Sequence, residues 1–125
     1  MSGVISVIPL IGTTGSGGSA GVATIKAARA VNGLLYGVIE DKGDLEDGVD
    51  LTLSVVNSET AVTLLTLTDA NTDQAQFYPR GNSCGATGAS NADGLIMLPV
   101  VGVLQLAVAQ GGTTKTGGVY ALVME

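Results

Sequence analysis

The sequence predicts an all-β fold: a single-domain antiparallel β-sandwich, jelly-roll-like, with about eight strands over residues 1–125. Three observations carry this expectation. Residues 49–68, VDLTLSVVNSETAVTLLTLT, form two runs rich in Val, Leu and Thr that alternate apolar and polar positions around a four-residue polar break. A period of two marks a strand, and two such runs around a short polar break mark a hairpin. Nineteen glycines supply turns between many short strands. With one Phe, three Tyr and no Trp, the core falls to Val, Leu, Ile and Ala, side chains that suit packed sheets. A lone hairpin is marginal in water, so the other apolar segments are expected to be built around residues 49–68.

Composition excludes several function classes. Charged residues are 13% of the chain, about half the usual ~25%, so the chain carries more apolar surface than one sandwich needs to hide. Self-association is the expected remedy. The net charge is -6 with no His, and the bases Lys26, Arg29, Lys42, Arg80 and Lys115 are scattered. No basic footprint exists for phosphates, which excludes nucleic acid and anionic lipid as partners. No apolar stretch approaches the length of a membrane span and no basic leader opens the chain, so no membrane is expected, and the chain is read as cytosolic until it assembles. Without His there is no Ser-His-Asp or Cys-His unit and no imidazole for zinc. A carboxylate pair of the glycosidase kind wants aromatic platforms that this composition hardly supplies. The chain is therefore read as no enzyme, with no catalytic residue, metal or cofactor.

In order, residues 3–11, GVISVIPLI, form an N-terminal strand or arm (residues 1–11) that is apolar on both faces and contains Pro9. Proline cannot donate to a ladder, so this strand belongs at a sheet edge or ends near Pro9, and an edge apolar on both faces needs cover, for which a neighbouring subunit is the simplest source. The Gly-rich loop 12–21, GTTGSGGSAG, is expected to be flexible. It contains Gly15-Ser16-Gly17-Gly18-Ser19-Ala20, which fits the G-x-G-x-x-A dinucleotide fingerprint, with Glu40 and Asp41 placed where a ribose-binding acid belongs. Against it stand the spacer Gly12-Thr13-Thr14, a strand alternative for Ala23, Ile25 and Ala27, and the lack of helices for further βαβ units. Asn32-Gly33 reads as a turn, and residues 34–39 as a strand in which Gly37 marks a bulge or a close approach.

Residues 40–50, EDKGDLEDGVD, hold six of the eleven acids: Glu40, Asp41, Asp44, Glu46, Asp47 and Asp50. Their spacing matches no cation loop, and a solvated connection between strands is the favoured reading over a hard-cation site. Asp69-Ala70-Asn71-Thr72-Asp73 copies the opening of an EF-hand, but Gln74 and Arg80 stand where its Gly and Glu belong, which leaves a turn. Cys84, the single cysteine, sits in a turn-like stretch with no His to activate it. Residues 83–94 read as a long exposed loop, 95–101 and 103–110 as two strands around Gly102, and 119–124 as a last strand apolar on both faces. Candidate interface residues are Val4 and Ile5 of the first strand, Tyr36, and the cluster Phe77, Tyr78 and Arg80, since aromatics and Arg anchor interfaces.

The order Asn71 to Asp73, then Phe77-Tyr78-Pro79-Arg80, a polar loop, Pro99-Val100 with Gly102, and the strand Val103 to Gly112 resembles small structural proteins of tailed bacteriophage virions, most specifically at Tyr-Pro-Arg. The resemblance implies a small β-sandwich of the capsid decoration or cement kind. It also implies a homotrimer as the favoured state, the major capsid protein as partner and the virion as location. Other classes remain open from the residues: a carbohydrate- or receptor-binding surface module, and the dinucleotide-binding domain.

Overall fold

The computed structural model describes residues 4–58, 60–70, 75–84 and 86–125, apart from the side chains of 91–93. Nine strands lie within them: β1 Ile5–Thr13, β2 Ala23–Lys26, β3 Val31–Asp41, β4 Asp50–Val56, β5 Ala61–Leu67, β6 Gln76–Phe77, β7 Arg80–Cys84, β8 Ser90–Ala109 and β9 Thr116–Met124. The fold is all-β and antiparallel, a single small domain. Its strands join into one sheet with the order β1-β9-β3-β8-β4-β5, while β2 and β7 pair with β8 and β6 pairs with β3.

The organising element is β8, not the hairpin. The hairpin is present, β4 and β5 pairing from Leu51↔Leu67 to Val56↔Ala61, but it closes one end of the sheet. Residues 95–101 and 103–110, expected as two strands, are one 20-residue strand that continues through Gly102. Its first part pairs with β7 and then β3, its second part with β2 and β4. Gly102 has φ 137°, and a Cβ there would meet the Val56 carbonyl oxygen at 2.5 Å. Only glycine passes that point without strain. Part of the stretch 83–94 that reads as loop is strand, because Ser83 pairs with Asn91 and Cys84 with Ser90.

One core joins the two parts. Ile8, Leu10, Leu35, Val38, Val119, Ala121 and Val123 from β1, β3 and β9 cluster with Leu51, Leu53, Val55, Leu104, Leu106 and Val108 from β4 and β8. Alternation on β4 and β8 places every second side chain in this core, as a half-buried strand requires. Because β8 pairs with β3 in one part and with β4 in the other, residues from both ends of the strand order reach this one core.

Several local expectations change. Asn32-Gly33 is no turn; both lie inside β3, where a Cβ on Gly33 would strike the Met124 carbonyl. The loop 12–21 is tied down: Thr14 is buried, its hydroxyl donates to the Gly112 carbonyl at 2.6 Å, and its backbone N–H donates to the Lys115 carbonyl at 2.8 Å. In the acidic stretch, Leu45 and Val49 are buried, and so is Glu40, because β3 turns that side chain toward Leu10 and Val119. The connection is solvated only in part. Asn71 to Asp73 of the EF-hand-like stretch lie outside the described residues, while Asp69 donates its backbone N–H to Asp50 Oδ1 at 3.0 Å, a tie to the start of β4.

Near the chain's last residues the Arg29 guanidinium bridges both oxygens of the Glu125 carboxylate. Hydrogen bonds from Arg29 and Ser6 hold the Glu125 carboxyl down to about 2 from its ordinary 4.5. A depressed carboxyl stabilises the folded state fully above its unfolded pKa and loses that contribution as pH falls toward its folded one. Denaturant titrations of wild type and Glu125→Gln should therefore differ near neutral pH and converge between pH 4.5 and 2. The pair is exposed, so the gap is small and shrinks in high salt.

Candidate functional site

The register of β1, β9 and β3 sorts their side chains into two faces. Ser6, Ile8 and Leu10 align with Val123, Ala121 and Val119 and with Leu35, Val38 and Glu40, and these point into the core. The alternate residues point away. One outward row is Ile5–Met124–Leu34–Pro99, the next is Val7–Leu122–Gly37, and the third is Pro9–Tyr120–Ile39–Gln76. No charged side chain interrupts these rows. Ile5, Val7 and Pro9 are exposed, and Leu34, Ile39, Tyr120, Leu122 and Met124 are half-buried. Contiguous apolar surface of this kind makes the face the candidate interaction site.

Tyr36 enters this face through an irregularity. The β3–β9 register shifts between Leu35 and Gly37, so Tyr36 is the extra residue of a bulge, which re-aims its ring. Of the bulge or close approach expected at Gly37, the bulge falls on Tyr36 beside it and the close approach on Gly37 itself: a Cβ there would lie 3.1 Å from Tyr78 Cδ1 and 3.2 Å from the Phe77 carbonyl oxygen. With no side chain at Gly37, the Tyr78 ring sits close over that position, in the row that also holds Val7 and Leu122. Tyr36 and Tyr78 meet edge to face with centroids 6.0 Å apart, a favourable aromatic geometry. Arg80 lies 6.0 Å from the Tyr36 ring centroid and donates from Nη1 to the carbonyls of Tyr36 and Pro79. The Tyr78 hydroxyl bonds Gln76 Oε1 at 2.7 Å.

Of the six candidate interface residues, the structure brings Tyr36, Tyr78 and Arg80 into one cluster and puts Ile5 on the same face, with exposed Val4 beside it. Phe77 goes elsewhere. It pairs with Val38, whose side chain is inward, and lines a concavity of about 300 Å³ with Glu40, Thr66, Ala70 and Ala75. Strand alternation separates it from Tyr78 by one residue. Residue-by-residue reading misses Val7, Tyr120, Leu122 and Met124 as members of the face, although their signal is visible: both strands are apolar at odd and even positions alike.

The remaining chemistry is sparse. The helix that the dinucleotide reading requires is strand β2, preceded by a three-residue 3-10 turn at Gly17–Ser19. Among the described residues, no group of three or more His, Cys, Asp or Glu could hold a metal ion, and no helix is long and apolar enough to cross a membrane. Cys84 is an exposed thiol on β7. No family model, no curated protein and no solved structure matches this chain. The apolar face and its tyrosine–arginine margin are thus the features on which a function has to be argued.

Proposed function

We propose that this protein is a non-enzymatic structural module that works by assembly: it associates with copies of itself and, as its likeness to phage virion proteins implies, decorates the outside of a head shell as a jelly-roll-like cement protein. The observation that carries the reading is the uncharged outward face of β1, β9 and β3, which a solitary particle has no use for. Mechanically, an oligomer presenting several identical loops grips several shell subunits at once. Each added contact forms at high effective concentration, so weak individual contacts to the major capsid protein add up to a firm bridge.

Density-gradient separation of heads from tails tests the virion reading. The chain should sediment with heads and leave them when they are stripped in mild denaturant; recovery with tails or in the unsedimented fraction would overturn it. The exposed Tyr36–Tyr78 pair beside Arg80 favours a second reading, a carbohydrate- or receptor-binding surface module. Glycan-array binding abolished by Tyr78→Ala would select that one.

A further inference from the structure

We infer that the outward face of β1, β9 and β3 is closed by a second copy of this chain, packed face to face across a two-fold axis. The inference rests on the assembly reading in requiring self-association, and goes past it in naming the surface and the symmetry.

Both ends of the strand order are poorly suited to strand addition. At one end, β1 carries Pro9 in its middle, and a nitrogen without hydrogen interrupts the donors that a pairing strand needs. At the other, β5 carries an irregularity opposite Leu53 and Ser54, the kind of bulge that blunts an edge. Cover for the apolar side chains must therefore arrive over the face. With Pro99 of β8 and Gln76 of β6 as its fourth position and the Ile11–Gly118–Asp41 row at its margin, the face is four strands wide and about seven residues long, on the order of 20 by 25 Å from standard strand spacings. Two such faces in contact bury on the order of 1,000 Å² in total, the lower bound for a specific interface.

Charge selects the occupant and its orientation. Arg80 stands at one margin beside Tyr36, and among the described residues no carboxylate lies within ion-pair distance of it. Asp41 stands five residues further along β3, about 17 Å away by strand rise, where its carboxylate accepts the Tyr120 hydroxyl at 3.5 Å. Of the other charges near the margins, Arg29 pairs with Glu125 and Lys42 with Asp47, while the Asp44 carboxylate accepts the Thr116 N–H. Antiparallel stacking sets Arg80 of each copy toward Asp41 of the other, twice over, as a self-complementary patch requires. Parallel stacking would oppose like charges. A two-fold pair differs from the trimer that the resemblance implies, and mass separates the two.

Sedimentation equilibrium on the full chain at micromolar concentration should give twice the 12.4 kDa chain mass. Val7→Lys, at a side chain 57% exposed and outside the core, should leave the circular dichroism unchanged and weaken the dimer at least tenfold. Asp41→Arg and Arg80→Asp should each weaken it about tenfold, and the double reversal should recover most of the loss. A monomeric or trimeric wild type, an unchanged mass in folded Val7→Lys, or a double variant no better than Asp41→Arg alone would each overturn the inference. Should Arg80→Asp fail to fold, Val7→Lys and Asp41→Arg decide by themselves. Head co-sedimentation is read separately, so the dimer can fail while the virion reading stands, and the reverse.

Discussion

Gly102→Val is expected to destabilise the protein by about 3 kcal/mol or more, the summed cost of a strained backbone and a forced contact. The backbone at Gly102 sits at φ 137°, a region that side chains with a Cβ rarely adopt. An added Cβ would also lie 2.5 Å from the Val56 carbonyl oxygen and 3.3 Å from Val55 Cγ2. Neither neighbour can retreat at low cost, because Val56 pairs with Val103 and Val55 pairs with Leu104 in the β4–β8 ladder. The damage would not stay local. Gly102 joins the part of β8 that pairs with β3 to the part that pairs with β4, so relaxing the strain means separating the two ends of the sheet. Urea unfolding monitored by circular dichroism at fixed protein concentration should show a lower midpoint for Gly102→Val. The control Gly18→Val, at a site with nothing within 4 Å of the added Cβ and no positive φ, should unfold close to wild type.

That glycine also shows where sequence reading runs out. Periodicity located β1, β4, β5 and β9 because each is bounded by polar or glycine-rich residues, and it placed β1 at an edge through Pro9. It divided β8 at Gly102, since a glycine within an apolar run reads as a break unless the neighbouring backbone is known to crowd it. Gly33 misled in the same way: Asn-Gly is a turn dipeptide by local propensity, and here the close approach of Met124 to the missing Cβ decides instead. Glu40 was grouped with its acidic neighbours, yet strand alternation from Val38 turns it inward and turns Asp41 toward the margin of the outer face. Both fates follow from which side of β3 meets the core, and that depends on β9 and β1, far away in sequence. The interaction face suffered likewise. Most of its members come from β1, β9 and β3, with Ile5 and Met124 neighbours across almost the whole chain, and only their register brings them together; Tyr36 joins them because a bulge, not a motif, points it there.

Leu104→Ala should cost 2–5 kcal/mol, the range for deleting a buried Leu side chain into a cavity that closes only in part. Leu104 is fully buried, pairs with Val55 across the ladder, and belongs to the cluster that also holds Leu35, Val100 and Val123. Val101→Ala, three residues earlier on the same strand at a side chain 57% exposed, should change stability by about 0.5 kcal/mol or less. The contrast tests the architecture and not just one contact. With β8 slipped by one residue, odd-numbered side chains would occupy the core and the two costs would exchange. Thermal unfolding should therefore place Leu104→Ala on the order of 10 °C below wild type and Val101→Ala beside it. Comparable losses in the two variants would mean that β8 does not present its even-numbered side chains to the core. The outward rows of β1, β9 and β3 would then lose their assignment, since β3 takes its orientation in the sheet from pairing with β8 as well as with β9.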